Sequence, residues 1–377
     1  MTISPTFPLS VPLVDLGAQQ REIAEEVESG IRQVFARTSF IGGPEVAEFE
    51  QAYAGFVRAR HCVGVANGTD ALELGLRAVG VRAGGEVILP ANTFIATAEA
   101  VSRIGAVPVP VDVDPDYLLI DPARVSEAVT EATQAVVAVH LFGQTAFVER
   151  LRAAAARCGA AIVEDAAQAQ GASRHGRSAG TLGRVAGTSF YPGKNLGAAG
   201  DAGAVLTDDD EIAARVRLLG AHGSSVKYEH DEIGMNSRLD TIQAVVLNSK
   251  LRRLAAWNER RREAAARYSE MLRDIPGIVL PRTADGNVDV WHLYVIRILD
   301  RDRVLTALNE AGIGAGIHYP VPMHLSRAYR YLGFTRGAFP VTEEAAATML
   351  SLPIYPHITT QQQEYVISQL LAAMERP

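Results

Sequence analysis

Cysteine is nearly absent from this chain. Its 377 residues include two, Cys62 and Cys158, at no metal-ligand or redox spacing. Cysteine-based metal and redox motifs are therefore excluded, and buried thiols are expected at both positions. Aromatic residues make up 6%, and positive charge is not in excess: 36 Lys and Arg stand against 43 Asp and Glu, a net −7. That balance does not describe a general binder of nucleic acid or membrane surface. No apolar run approaches the length of a membrane span. Met1 to Pro12 has no basic region followed by an apolar core, so no signal peptide is expected and the expected location is cytoplasmic. Also missing is a Gly-x-Gly-x-x-Gly turn after the first predicted strand. The turn there reads Asn67-Gly68-Thr69, which sets aside a nicotinamide-binding Rossmann enzyme. Repeats and low-complexity tracts are absent too.

What is present is ample apolar content, 48% of residues, in a regular order. Ile23, Val27, Ile31, Val34 and Phe35 share one face of an opening helix, and a second begins with Val46, Phe49 and Tyr53. Between them Ile41-Gly42-Gly43-Pro44 breaks the pattern. Short apolar runs then alternate with helical stretches. The predicted strands are His61–Val65, Glu86–Leu89, Val107–Val113, Ala135–His140, Ala160–Glu164, Thr188–Tyr191 and Gly203–Thr207. The helices between them include Asp70–Val79, Ala96–Ile104, Pro122–Val129 and Ala146–Cys158. Near-continuous apolar strands alternating with helices specify an α/β fold with a mostly parallel sheet covered on both faces. A long helix over about Asp240 to Leu272 leads away from it. A smaller α+β part follows, with a strand at Val290–Ile298 and helices near Asp302–Ala311 and Gln361–Met374. The expected division is 1–248 for the N-terminal segment and large domain, and 249–377 for the small C-terminal domain.

Ligands of open α/β sheets bind beyond the carboxyl ends of the strands, and the chain's informative words fall there. At the first, Val65-Ala66-Asn67-Gly68-Thr69-Asp70, a strand turns into a helix. Gly68 lets the backbone approach a ligand, and Thr69 with the free N–H groups of the first turn can bind phosphate. An ordinary helix cap is the plainer reading of the same residues. Phe94 ends the next strand and can stack on a flat ring, though aromatics there are more often core. Glu164-Asp165-Ala166-Ala167-Gln168 ends a third strand, and Ser189-Phe190-Tyr191-Pro192-Gly193-Lys194 follows in a glycine-rich stretch. A carboxylate and then a lysine are what pyridoxal 5′-phosphate (PLP) chemistry needs. The carboxylate keeps the pyridine nitrogen protonated; the lysine forms the Schiff base and moves protons. Asp165 is the expected partner of the nitrogen, since a buried carboxylate needs a cation. Gln168 is placed for the phenolic oxygen, and Ser189 for the phosphate. A lone lysine near glycines would be a surface charge; five features in order on one sheet edge make a cofactor site.

Together with Asn236-Ser237-Arg238-Leu239-Asp240, these words resemble the nucleotide-sugar aminotransferases of the DegT family, fold-type I PLP-dependent transferases. The resemblance spans nearly the whole chain. It implies a seven-stranded, mostly parallel sheet in the large domain and a Schiff base on Lys194. It further implies that Asp165 and Gln168 contact the ring, that Gly68, Thr69 and Ser189 bind phosphate, and that Phe94 covers the ring. It implies a homodimer with shared active sites, in which Asn236 reaches the partner's cofactor phosphate. Arg238 is either structural or orients an anionic substrate. Asn67 departs from the family, where serine is commoner. Two more segments bear on substrate: His222-Gly223-Ser224 ahead of Lys227-Tyr228, and Gly316 to Leu325. The Gly316 segment resembles that of enzymes acting at C-3 of a keto-deoxysugar nucleotide more than that of enzymes acting at C-4. It makes His318 and Tyr319 candidate contacts of the hexose or its pyrophosphate, although such residues taken alone are more often packing and turn residues; Tyr191 is a further candidate substrate contact.

The function expected from the resemblance is PLP-dependent transamination of a nucleotide-linked, dTDP-type keto-deoxyhexose at C-3. L-glutamate is the expected donor, and pyridoxamine 5′-phosphate the form between half-reactions. The product would be an amino sugar for natural-product or surface-glycan biosynthesis. A C-4 aminotransferase is the nearest alternative. A dehydratase of the same fold would carry histidine at the lysine position, and Lys194 argues against it. A PLP-holding regulatory protein without turnover is the alternative of another class.

Overall fold

The computed structural model describes residues 10–226 and 228–375. The opening segment read above for a leader lies largely outside the described residues, and so does Lys227. Two helices come first, α1 (Leu16–Arg37) and α2 (Pro44–Val57). Asp15 caps α1 by accepting the Ala18 N–H at 2.9 Å, and Pro44 at the first position of α2 supplies a preset φ where no donor is needed. The alternating part follows: β1 (His61–Val65), α3 (Gly68–Ala78), β2 (Glu86–Pro90), α4 (Ile95–Arg103), β3 (Val107–Val111), α5 (Pro122–Ala128), β4 (Thr133–Val139), α6 (Val148–Ala156) and β5 (Ala161–Asp165). A small pair, β6 (Ser173–Arg174) and β7 (Arg177–Ser178), precedes β8 (Val185–Ser189), β9 (Gly203–Thr207), α7 (Asp210–Gly220) and α8 (Thr241–Leu272). The remainder is β10 (Ile278–Val279), β11 (Asn287–Val288), β12 (Tyr294–Ile298), α9 (Arg301–Glu310), α10 (Pro340–Thr348), β13 (Met349–Leu352) and α11 (Thr360–Glu375).

Seven strands form one sheet in the order β1-β9-β8-β5-β4-β2-β3. β9 runs against both its neighbours, and the other six share one direction. Alternation along the parallel strands feeds two cores. Val137 and Val163 pack with Leu72, Leu74 and Val101 from α3 and α4. Val136 and Ile162 pack with Val125 and Leu151 from α5 and α6. Burying both faces explains why these strands read as unbroken apolar runs. The shared direction sets the carboxyl ends of β1, β2, β4, β5 and β8 along one edge, where the chemistry-bearing words lie.

A second sheet, β10-β12-β13, is antiparallel. Its core joins Tyr294, Ile296, Leu350 and Leu352 to Tyr268 and Leu272 of α8 and to Val366 and Leu370 of α11. α8 is unbroken through residue 248 and serves both regions. Its early residues Leu247 and Leu254 pack with Phe49 and Tyr53 of α2.

Several expectations are revised by the structure. β8 starts at Val185 and ends at Ser189, not at Tyr191. Beyond Ser189 the chain turns: the Lys194 N–H bonds the Tyr191 carbonyl, and Phe190 turns into the core. α7, α10 and β13 were not anticipated. Cys158 is half-buried rather than buried; Cys62 is buried.

Candidate functional site

β1 ends at Val65, and the chain enters α3 through an extended Asn67 whose Oδ1 accepts the Asp70 N–H at 2.8 Å. Asn67 thus makes the cap that the commoner serine would make. Gly68 and Thr69 begin the helix, so no earlier turn takes their N–H groups. Gly68 is required sterically: a Cβ there would lie 2.5 Å from Cβ of Ser189. The ends of β1 and β8 are pressed together, and one polar pocket wall is made from Gly68, Thr69 and Ser189. Gly68→Ala must push those ends apart, at about 1–3 kcal/mol. The expected outcome is PLP affinity lower by about tenfold or more, read by titrating cofactor into apo-protein; unchanged affinity would remove the phosphate assignment.

Glu164 and Asp165 are neighbours on β5, and strand alternation sends them to opposite faces. Glu164 is wholly buried and fully engaged. It accepts N–H groups from Gly180, Leu182 and Gly183 at 2.7, 2.7 and 2.6 Å, and meets Nε2 of His140 at 2.7 Å. His140 Nδ1 accepts the Ala146 N–H, so Nε2 carries the proton given to Glu164. Asp165 faces the cavity. Oδ2 accepts from Thr97 Oγ1 at 2.7 Å, and Oδ1 from the Ala167 N–H at 3.1 Å. Thr97 in turn pairs with Thr93 one helical turn away. Both donors to Asp165 are neutral, although the residue is 6% exposed. Asp165 thus has no cationic hydrogen-bond donor, a place that a protonated ring nitrogen would fill.

Lys194 lies across the same cavity. Burial pulls its amine down to about 8, and the Asp165 charge works against that fall. The aromatic cover is Phe94 and Tyr319, ring centres 5.1 Å apart. Gln168 ties this cover to the sheet: its Oε1 accepts the Phe142 N–H at 2.6 Å, and its Nε2 donates to the Tyr319 hydroxyl at 3.0 Å. The second Nε2 hydrogen is left for a ligand oxygen. Burial and the Asp165 charge push the Tyr319 phenol up. His318 meets Ser351 Oγ at 2.8 Å, and burial with Lys194 nearby lowers its imidazole to about 4.

These side chains enclose a cavity of about 780 Å³. Of the residues named from sequence, Gly68, Thr69, Phe94, Asp165, Gln168, Ser189, Tyr191, Lys194, His318 and Tyr319 line it. Asn236 and Arg238 do not; both are exposed, and Asn236 forms a backbone bridge with Ala221. Sequence reasoning passed over His292, Thr97 and Arg103. His292 and Arg103 line the cavity, and Thr97 braces Asp165. The one signal for His292 was a polar ring at the lip of an apolar strand. The residues fit PLP: free helix N–H groups and a serine for phosphate, a carboxylate wanting a cationic N–H, a flat aromatic cover, and an amine lowered toward its nucleophilic form.

The comparisons with known proteins agree. Residues 21–371 match the model of the DegT/DnrJ/EryC1/StrS aminotransferase family. The erythromycin biosynthesis sensory transduction protein EryC1 of Saccharopolyspora erythraea is 48% identical over 97% of this chain and 100% of its own. The dTDP-3-amino-3,4,6-trideoxy-alpha-D-glucose transaminase of Streptomyces venezuelae is 45% identical over 97% of each chain. Among solved structures, S. venezuelae DesV in complex with a ketimine intermediate superposes with a TM-score of 0.95 at 45% identity, covering 98% of this chain and 99% of that one. The fold is that of the PLP-dependent aminotransferases, and the cofactor is PLP. The chain belongs to the DegT/DnrJ/EryC1/StrS aminotransferase family.

Proposed function

We propose that this aminotransferase moves an amino group from L-glutamate to C-3 of a dTDP-linked keto-deoxyhexose. The observation that carries the reaction type is Asp165 and Lys194 facing one cavity, the first without a cationic hydrogen-bond donor and the second an amine lowered to about 8. Bound PLP supplies an electron-poor ring that accepts the electron pair left when the donor's α-C–H bond ionises. Asp165 keeps the ring nitrogen protonated. Gly68, Thr69 and Ser189 hold the phosphate, Phe94 covers the ring, and Gln168 donates to its phenolic oxygen. The Lys194 amine would take the proton from the donor's α-carbon and deliver it to the cofactor carbon on the far side of the transferred nitrogen; for the sugar it would run the same transfer in reverse. Tyr191, His318 and Tyr319 line the cavity where a hexose would sit, and Arg238 is the remaining substrate candidate.

The exposure of Asn236 outside its own cavity supports a homodimer in which it completes the partner's phosphate site. A cytoplasmic location, and a division at residue 248 into large and small units, belong to the same proposal. No helix among the described residues is long and apolar enough to cross a membrane. The C-3 assignment rests on the segment around His318 and on likeness to the S. venezuelae transaminase, named for a 3-amino sugar. A screen of 3-amino and 4-amino dTDP-deoxysugars with the PLP form checks it. The 3-amino compounds are expected to convert PLP to pyridoxamine phosphate; conversion by 4-amino compounds alone overturns it. The S. erythraea relative's name, a sensory transduction protein, favours a second reading: a PLP-holding regulator. Release of 2-oxoglutarate from L-glutamate separates the two.

A further inference from the structure

The carboxylate of Asp165 ends a series of buried hydroxyls. Thr93 Oγ1 lies 2.7 Å from Thr97 Oγ1, and Thr97 Oγ1 lies 2.7 Å from Asp165 Oδ2. All three residues are buried. The direction of both bonds follows from the ionised end. A carboxylate only accepts, so Thr97 gives its single hydroxyl proton to Asp165. Thr97 then has only lone pairs to offer Thr93, and Thr93 must donate. A helical threonine commonly turns its hydroxyl back onto a carbonyl of the preceding turn. Thr97, inside α4, gives its proton to the end of β5 instead, 68 residues away in sequence. The series has a fixed base. Asn92, just before Thr93, donates from Nδ2 to the Leu118 carbonyl at 2.8 Å, and the Thr93 N–H bonds the Pro90 carbonyl at 3.3 Å. Phe94 caps the same helix, so the cover of the cavity and the brace of Asp165 are carried by one short segment.

We propose that Thr97, backed by Thr93, is a positioning residue that holds Asp165 ionised and turned toward the cofactor's ring nitrogen, so that the proton between them stays on the nitrogen. The inference deepens the function proposed above, since it takes Asp165 as the partner of that nitrogen. Each carboxylate oxygen receives one donor. Oδ1 takes the Ala167 N–H at 3.1 Å, from the loop after β5, and Oδ2 takes the Thr97 hydroxyl, from α4. Donors on two separate elements fix the plane of the carboxylate and leave each oxygen a further lone pair. Their neutrality matters as well. A guanidinium in place of the hydroxyl would satisfy the negative charge and compete with the ring for it. A hydroxyl stabilises the ionised form by a hydrogen bond and leaves the charge in place. Thr93 strengthens that bond, because a hydroxyl that accepts a proton donates its own more strongly. Lys194 and the Tyr319 phenol are the titratable groups that act on Asp165 from elsewhere in the cavity.

Two substitutions at one position separate the hydroxyl from the packing. Thr97→Val keeps the branched shape and removes the hydroxyl; Thr97→Ser keeps the hydroxyl and removes a methyl. Each variant is loaded with pyridoxamine 5′-phosphate labelled with ¹⁵N in the ring, which binds without a bond to Lys194. The readout is the ¹⁵N chemical shift, which separates a protonated ring nitrogen from a neutral one. Wild type should read protonated at neutral pH. Thr97→Val should move the signal toward the neutral position. It should also slow the L-glutamate half-reaction by about ten- to hundredfold, the worth of one hydrogen bond to a charged group. Thr97→Ser should return both toward wild type, and Thr93→Val should move them in the same direction as Thr97→Val, by less. An unmoved signal in Thr97→Val overturns the proposal. Equal changes in Thr97→Val and Thr97→Ser assign the residue to packing and overturn it too. If Thr97→Val does not fold, Thr93→Val decides: a signal moved toward neutral supports, an unmoved one overturns. A neutral ring in wild type is a different result; it defeats the Asp165 reading itself, and the proposal with it.

Discussion

Lys194→Ala is expected to slow the L-glutamate half-reaction by about 10⁴-fold, the upper range for loss of a positioned acid–base group. The variant should nevertheless fold. Lys194 is held in the cavity against the cost of its own desolvation, which is why its amine falls to about 8. Its backbone N–H bond to Tyr191, at 2.8 Å, survives the substitution, and so does the bond beside it from the Asn195 side chain to the Val290 carbonyl. Thermal unfolding should stay within a few degrees of wild type while turnover disappears. Single-turnover release of 2-oxoglutarate is the direct assay. A rate within tenfold of wild type would show that another group moves the proton.

Glu164→Ala and Asp165→Ala should have opposite consequences despite being adjacent. Removing the Glu164 carboxylate strands three backbone N–H groups and the His140 Nε2–H in a fully buried site. Loss of stability by about 3–5 kcal/mol is expected, as for a broken buried pair. Asp165→Ala strands one hydroxyl and one N–H at the edge of a cavity. Its stability should change by about 1 kcal/mol, while the half-reaction falls by at least about 100-fold because nothing keeps the ring nitrogen protonated. Urea unfolding of the two apo-variants, paired with the half-reaction, reads both quantities. Matching stability losses, or a near-normal rate for Asp165→Ala, would reverse the assignment of the two acids.

Much of the site was legible because its parts are local. A strand end followed by Gly68-Thr69, an acid ending β5, and a lysine after a Pro-Gly turn are each short words. The sheet order was not legible, since β9 inserts between β1 and β8 through contacts far apart in sequence. The partition between Glu164 and Asp165 was half legible. Alternation sends them to opposite faces, but only the loop over Gly180 to Gly183 shows what Glu164 holds. His292 escaped because the Asn195 side chain that meets it is distant in sequence, and side-chain amides leave no periodic trace. The end of β8 was misplaced because Phe190 and Tyr191 suit a strand; Phe190 instead packs edge-on against Phe49 and Tyr53, and the chain has already turned.

The central claim is that this cavity transfers amino groups through Lys194 and Asp165. Mixing the PLP-loaded protein with L-glutamate and no sugar tests it most directly. One 2-oxoglutarate per Lys194 should appear and then no more, with release about 10⁴-fold slower from Lys194→Ala. PLP-loaded wild type that releases no keto acid from any amino acid would contradict it.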